Sequence, residues 1–238
     1  MSDTPIRDAA TLVVIKDRDT NPSILMGQRG ENAAFMPRKF VFPGGAVDPV
    51  DATVPVAGAL SEVCAERLAM QSAMLPAALA AAAIRELFEE TGLVLGSRET
   101  WEGAPKGWRG YAATGHIPSF EGLEFIFRAV TPKGRPRRFD ARFFLVDASR
   151  LSSDPDDFSR AEDELSHLQW IPLSQARKFD LPFITECVLA EVAANLDRKG
   201  PPVSVPFFRN NDEANTIARL GGQSPLEAYF NTSSRDRS

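Results

Sequence analysis

The chain is poor in the residues that most often announce chemistry. Its 238 residues include two cysteines and two histidines. Cys64 and Cys187 lie far apart in apolar contexts and form no C-x-x-C. Two buried free thiols are therefore expected, and with them a reducing compartment. His116 and His167 are too few and too isolated for a zinc site or a catalytic triad. No apolar run approaches the ~18 residues needed to cross a membrane. The opening Met1-Ser2-Asp3-Thr4-Pro5 lacks the pattern of a secretory leader. A cytoplasmic protein with no membrane partner is the expectation. Positive charge is not in excess either: the net charge is −5, which argues against a nucleic-acid backbone as partner. Repeats and linker-like boundaries are absent, so residues 1–238 are expected to form a single domain.

What is there reads as strands mixed with helices. Ala9 to Ile15, Ser23 to Met26 and Phe40 to Phe42 read as strands, the last stopped by Pro43-Gly44-Gly45. Two glycines after a strand let the backbone approach a ligand closely. Helices are expected from about Ala57 to Ser72 and from Pro76 to Thr91, with Gly92 at the helix-ending position. Ser97 to Ser119 reads as an irregular or short-helical excursion. Two further strands, Leu123 to Val130 and Phe139 to Val146, flank the turn at 131–134. Leu168 to Ile171 reads as a last short strand, with a helix starting near Ser174 and another from Leu181 to Leu196. The tail after Gly200 is expected to wrap the domain or to join a homodimer interface. This mixture points to an α+β fold rather than a regular βαβ array.

The most informative stretch is Arg85-Glu86-Leu87-Phe88-Glu89-Glu90-Thr91-Gly92-Leu93. Glu86, Glu89 and Glu90 stand at i, i+3 and i+4, on one face of a helix, where like charges repel. A hard divalent cation relieves that repulsion, and Mg²⁺ is commonly held by carboxylates together with substrate phosphates. The run points to metal-assisted chemistry on a phosphate.

At these residues the chain resembles the Nudix hydrolases. Their box reads G-x5-E-x7-R-E-U-x-E-E-x-G-U, with U a bulky aliphatic residue. Every fixed position of its second half is matched between Arg85 and Leu93, and Phe42-Pro43-Gly44-Gly45 resembles the strand and loop that precede it. Between the halves the chain departs. Residues 46 to 84 intervene where the pattern has 13 positions, an insertion of about 26. Counting back from Arg85, the first glutamate of the box falls at Ala77. Glu62 and Glu66 in the inserted helix, or Asp48 and Asp51 before it, are the candidates to replace it. The split box, Phe35-Met36-Pro37 ahead of it, and Arg137-Arg138-Phe139-Asp140-x-Arg142-Phe143-Phe144 after it are similar to a subgroup that includes peroxisomal coenzyme A diphosphatases and bacterial relatives. The Leu-Leu-Thr-x-Arg-Ser type run of the better-known coenzyme A branch is not matched by Leu25 to Gly30.

The resemblance implies a Nudix α/β/α sandwich with a mixed sheet and a helical insertion inside the box, at about residues 46–75. It implies hydrolysis of a diphosphate in a nucleoside diphosphate derivative with Mg²⁺ or Mn²⁺, held by Glu86, Glu89, Glu90 and a backbone carbonyl of Gly44 or Gly45. Glu86 and Glu164 are the two candidates for general base. Arg85 is expected to orient a glutamate through a salt bridge rather than touch substrate. Coenzyme A or an acyl ester is the favoured substrate, with ADP-sugar or NADH-type compounds as alternatives. A protein that keeps the fold to sense nucleotides without turnover is a different class of reading, supported only by Ala77.

Other residues receive plainer readings. Lys133 and Arg135 read as a solvated turn, while Arg137, Arg138 and Arg142 are left open to substrate contact. Phe35, Trp108 and Tyr111 read as packing before base stacking. The Ala80–Ala83 run reads as helix propensity, or as a way to bring the helix close to the sheet.

Overall fold

Ala9 to Ile15 is apolar at every position except Thr11, the composition of a strand covered on both faces. The computed structural model, which describes residues 4–31, 33, 36–209 and 217–221, places this run inside β1 (Ile6–Lys16). There follow β2 (Ser23–Arg29), β3 (Phe40–Val41), β4 (Gly44–Ala46), α1 (Glu62–Ala69), α2 (Pro76–Thr91), β5 (Gly96–Arg98), the one-turn α3 (Arg109–Ala112) and β6 (His116–Pro118). Then come β7 (Glu124–Val130), β8 (Arg138–Asp147), β9 (Leu165–Pro172), α4 (Phe183–Ala194), β10 (Val205–Phe208) and β11 (Ile217–Leu220).

The main sheet runs β11-β10-β7-β8-β1-β2-β3, with β9 on β2 and β4 on β1. β1 pairs β8 in parallel and β10 pairs β7 in parallel. The other pairings in it are antiparallel, so the sheet is mixed. Strand alternation sends Ala10, Leu12 and Val14 to one face, into a core shared with α2. Val13 and Ile15 go to the other, against Val188, Leu189 and Val192 of α4. This is the expected α+β sandwich, helix on sheet on helix.

One edge of β1 is divided between two partners. Its end pairs β2 at Ile15 and Lys16, while Ala9, Ala10 and Thr11 pair β4. β4 therefore inserts where β1 and β2 part, which brings Gly44 and Gly45 beneath the C-terminal half of α2. That helix begins with Pro76 in its first turn and ends at Gly92, whose φ of +76° suits glycine and whose N–H reaches the Phe88 carbonyl at 2.7 Å. Its limits are those the sequence predicts. Ala80–Ala83 are fully buried between the sheet and neighbouring elements, in the same core as Cys64 and Leu68 of α1.

Several expectations need correction. The helix expected from Ala57 to Ser72 occupies only Glu62–Ala69, capped by the Ser61 hydroxyl. Residues before it are extended because the backbone of Ala57 bonds to Pro118 and Phe120 instead. The irregular excursion at 97–119 holds a two-stranded sheet of β5 and β6 around the single turn of α3. The helix near Ser174 is a 3-10 segment, Leu173–Lys178, and the last helix is trimmed to Phe183–Ala194. The tail contributes β10 and β11 to the sheet edge. Phe35 lies outside the described residues. No described helix is long and apolar enough to cross a membrane.

Of the three arginines left open to substrate contact, Arg142 holds the insertion, and Arg128 joins it. Arg142 is buried and bonds Asp8, Asp140 and the Ser72 hydroxyl. Arg128 forms a two-bond pair with Asp140 and donates to the carbonyls of Met70 and Gln71, at 2.8 and 2.9 Å. Its guanidinium also stacks on Phe207 of β10. Together they fasten the α1–α2 connection to β7 and β8. Arg67 of α1 fastens the tail by bonding the carbonyls of Pro202 and Val203. Arg138 is buried and its Nε donates to Thr131, whereas Arg135 and Arg137 are exposed. Breaking a buried ion pair from one side costs about 3–5 kcal/mol. Arg128→Ala should lose that much in urea denaturation, while Arg135→Ala should stay within about 0.5 kcal/mol of the parent. Equal effects would show that the clamp does not hold the insertion.

Candidate functional site

β4 has its peptide groups turned alternately toward β1 and toward α2. Pro43 and Val47 bond β1 through Leu12 and Asp8, at 2.9 and 3.0 Å. The intervening Gly44 N–H donates to Glu90 Oε2 at 2.8 Å, and the Ala46 carbonyl accepts from Arg85 Nη2 at 2.9 Å. Both glycines are required by space. A Cβ on Gly44 would stand 2.7 Å from the Ala10 carbonyl oxygen and Thr11 Cα. A Cβ on Gly45 would stand 2.5 Å from the carboxylate of Glu86.

Arg85 is the hub. It is buried, at 4% exposure, yet all of its bonding edges are used. Nε and Nη2 form a fork on Asp51, at 3.0 and 3.2 Å. Nη1 reaches Glu86 at 2.8 Å and Glu89 at 2.9 Å. Burial alone would lower the Arg85 pKa. The hydrogen bonds to Asp51 and the charges of Glu86, Asp51 and Glu89 outweigh it and raise the value, so the guanidinium stays charged.

Asp51 is the one of the four candidate replacements for the first glutamate that meets Arg85. It stands six residues after Gly45, the spacing the box pattern gives its first carboxylate. Besides Arg85 it accepts from the Asp48 N–H at 2.8 Å and from the indole N–H of Trp108 at 2.9 Å. Glu62, Glu66 and Asp48 are exposed, and Ala77 is an exposed residue in the first turn of α2. Counting back from Arg85 lands on Ala77 because the insertion lies between Asp51 and Arg85. Trp108 is packing, as read, but its N–H also ties the 99–115 excursion to this buried carboxylate. Tyr111 is packing too, with its hydroxyl on the Leu95 carbonyl at 2.7 Å.

The three glutamates sit in graded surroundings. Glu90 is buried at 2% exposure; its Oε2 takes the Gly44 N–H and its Oε1 has no partner. Burial, followed by the charge of Glu86, pushes its pKa well above the ordinary carboxylate range. Burial also lifts Glu86, to about 7, with Glu89 adding to the rise and Arg85 opposing it. Glu89 is raised by burial against the same arginine. Glu164 is exposed at the start of β9, paired with Arg29 Nη2 at 3.0 Å, and its charge reaches both Glu86 and Glu90. In the sequence Arg29 stands where the Leu-Leu-Thr-x-Arg-Ser run has its arginine, although the rest of that run is not matched.

Clustered carboxylates with raised pKa values and an unsatisfied buried oxygen fit a cation. Among the described residues no three His, Cys, Asp or Glu side chains already converge as a metal-ligating group, because Glu86 and Glu89 turn to Arg85. A concavity of about 460 Å³ lined by Trp101, Ala104 and Arg109 contains none of these carboxylates. Another of about 230 Å³ beside His116 and Asp154 contains none either.

No family model matches the chain. It is 30% identical over 178 residues to the Caenorhabditis elegans protein named "Putative nudix hydrolase 7", covering 69% of this chain. The alignment spans 51% of that protein, so the chain matches about half of its length. The crystal structure of a Nudix hydrolase from Alicyclobacillus acidocaldarius superposes with a TM-score of 0.59 at 29% identity. That likeness covers 82% of this chain and 97% of the other.

Two outcomes test this geometry. Asp51→Ala strands the Arg85 charge and should cost about 3–5 kcal/mol in urea denaturation, whereas Glu62→Ala or Glu66→Ala should change stability by less than about 0.5 kcal/mol. The raised glutamate pKa values set a pH trend. A carboxyl held above its unfolded value binds its proton more tightly when folded, so ionising it costs the fold. In chelator, thermal stability should therefore fall as pH rises from about 5 through about 7 to 8, and Mg²⁺ or Mn²⁺ should restore it. Glu86→Gln should flatten the slope. Stability rising with pH over that range would contradict the assignment.

Proposed function

We propose, from the premise that both likenesses support the Nudix hydrolase superfamily, that this chain is a metal-dependent pyrophosphohydrolase. Its substrate is a nucleoside diphosphate linked to another group. The observation that carries this reading is the placement of Glu86 against Gly45 and of Glu90 against Gly44, with Glu89 on the same Arg85 and Glu90 Oε1 buried and unpartnered.

Glu86, Glu89 and Glu90 would hold Mg²⁺ or Mn²⁺, joined by the Gly44 carbonyl, which strand geometry aims to the same side as its N–H. When bound, the ion neutralises diphosphate oxygens and orients the attacking water. The chain's own residues do the rest. Arg85 fixes the directions of Glu86 and Glu89 and, through Asp51, locks them to the turn after β4. Arg85 is a positioning residue, since its bonding edges are spent inside the protein. One of two carboxylates would take the proton of the water. Glu86 has a pKa near 7, suited to a base at neutral pH. Glu164 is exposed at the rim of the same cluster.

Among substrates, coenzyme A or an acyl ester is favoured by the split box and the Arg137-to-Phe144 run described above. Against the non-catalytic sensor, which rested on Ala77, stand the spacing of Asp51 from Gly45 and its ion pair with Arg85, which support Asp51 as the first carboxylate. The test is a panel of coenzyme A, ADP-ribose, ADP-sugars, NADH, dinucleoside polyphosphates and nucleoside triphosphates with Mg²⁺ and with Mn²⁺. Metal-stimulated product release is expected, and Glu89→Gln or Glu90→Gln should lower it by about 100-fold or more while circular dichroism stays unchanged. Near-parent turnover in both variants would sink the metal site. Turnover of other compounds without coenzyme A would reject only the substrate.

A further inference from the structure

Outside the glutamate cluster, residues 99–115 enclose a concavity with chemistry of its own. β5 and β6 close the base of this excursion, and the Glu99 N–H donates to the Gly115 carbonyl at 3.1 Å. Trp108 and Tyr111 are fully buried, and the Tyr111 ring lies 5.3 Å from both Trp108 and Phe88 of α2. Trp101 packs on Trp108 at 5.8 Å but is only half-buried. With Gly103, Ala104, Arg109, Ala112 and Ala113 it lines a space of about 460 Å³. That volume falls in the range of about 300–1,000 Å³ usual for small-molecule sites.

Much of this lining is unspent. The Trp108 N–H goes to Asp51 and the Trp170 N–H to the Pro155 carbonyl, but the Trp101 N–H meets no acceptor among the described residues. Arg109 is exposed, carries the single charge of the lining, and pairs with no carboxylate among the described residues. A Cβ on Gly103 would meet nothing within 4 Å, and the other walls are alanines, so a flat ring can approach the open face of Trp101. An accessible indole face binds nucleobases by stacking, since every base presents a π-face. The excursion also lies against α2. A Cβ on Gly107 would stand 3.9 Å from Arg85 Cδ, and one on Gly110 would stand 3.3 Å from the Phe88 ring. Trp101 and Arg109 are therefore carried on the turn of α2 that leads to Glu89.

We infer that this concavity is the subsite for the nucleoside half of the substrate. A purine ring lies on the Trp101 face, a ribose oxygen takes the Trp101 N–H, and Arg109 pairs a phosphate carried on the ribose 3′ oxygen. The 5′ side of the nucleoside leads to the diphosphate at Glu86, Glu89 and Glu90. A cation in the base cavity is thus left for a phosphate outside the diphosphate. Arginine suits it because its planar fork matches a phosphate edge and never loses its charge. A 3′-phosphorylated adenosine offers both the ring and the anion, whereas an ADP-sugar offers only the ring. The inference rests on the pyrophosphohydrolase reading above and names the half of the substrate that the excursion recognises.

The full chain in chelator is titrated with adenosine 3′-phosphate and with adenosine 5′-phosphate, and separately, without chelator, with Mn²⁺ alone. Adenosine 3′-phosphate should bind about fivefold more tightly than its isomer, and Arg109→Gln should abolish that preference. Trp101→Ala should weaken both nucleotides by about 10-fold or more. Ala113→Leu, which fills the space from its exposed rim and leaves Trp101 and Trp108 in place, should weaken both as well. All three variants should keep Mn²⁺ affinity within about twofold. Parent-like nucleotide binding in Ala113→Leu, or in a folded Trp101→Ala, overturns the subsite. So does a parent that binds neither nucleotide, or an equal loss of Mn²⁺ and nucleotide binding in the variants, which marks the lining as structural. A preference that survives Arg109→Gln, or is absent from the parent, overturns the ribose-phosphate assignment. Mn²⁺ binding absent from a parent that still binds the nucleotides fails the metal reading alone.

Discussion

A charged guanidinium sealed inside the protein organises everything around it. Arg85 would be ruinous without partners, because a buried uncompensated charge costs several kcal/mol. Its edges are divided among Asp51 in the turn after β4, the Ala46 carbonyl of β4 itself, and Glu86 and Glu89 on its own helix. Satisfying one charge thus fixes a turn, a strand and a helix face relative to one another. The positions of the functional carboxylates follow from that requirement.

The same geometry separates the three glutamates chemically. Glu86 and Glu89 lean toward the arginine, while Glu90 is one face over and held by the Gly44 amide. Burial raises all three pKa values, and Glu90 has no guanidinium in contact to offset it. The glycines at 44 and 45 are part of this arrangement, since any Cβ would push the strand or the Glu86 carboxylate away.

Residues 52–84 leave the site and return to it, and their tolerance has a physical basis. Lengthening a loop adds little closure entropy, and buried arginines fasten this one: Arg128 binds the Met70 and Gln71 carbonyls, Arg142 the Ser72 hydroxyl, and Arg67 within it binds the carbonyls of the tail. Of these, Arg142 looked in the sequence like a candidate for substrate contact. Nothing local distinguishes a guanidinium that binds a phosphate from one that binds a carbonyl 58 residues away.

Local chemistry made part of this protein legible. Pro76 and Gly92 bound α2 because proline suits a first turn and glycine a left-handed cap, and the spacing of Glu86, Glu89 and Glu90 places them on one helix. The apolar run in β1 announced an interior strand. Less was legible where distant partners decide: Ala57 is kept out of a helix by its backbone bonds to Pro118 and Phe120, and the β5–β6 pair closes across a long excursion. The sequence by itself determined that three carboxylates and an arginine share a helix near a glycine-rich turn, since helical spacing is a short-range property. Only the tertiary structure decided that the Arg85 guanidinium meets the Asp51 carboxylate and the Ala46 carbonyl, and that Arg128 and Arg142 hold the excursion between them. These contacts depend on where the chain returns after a long departure, and side-chain type does not encode that.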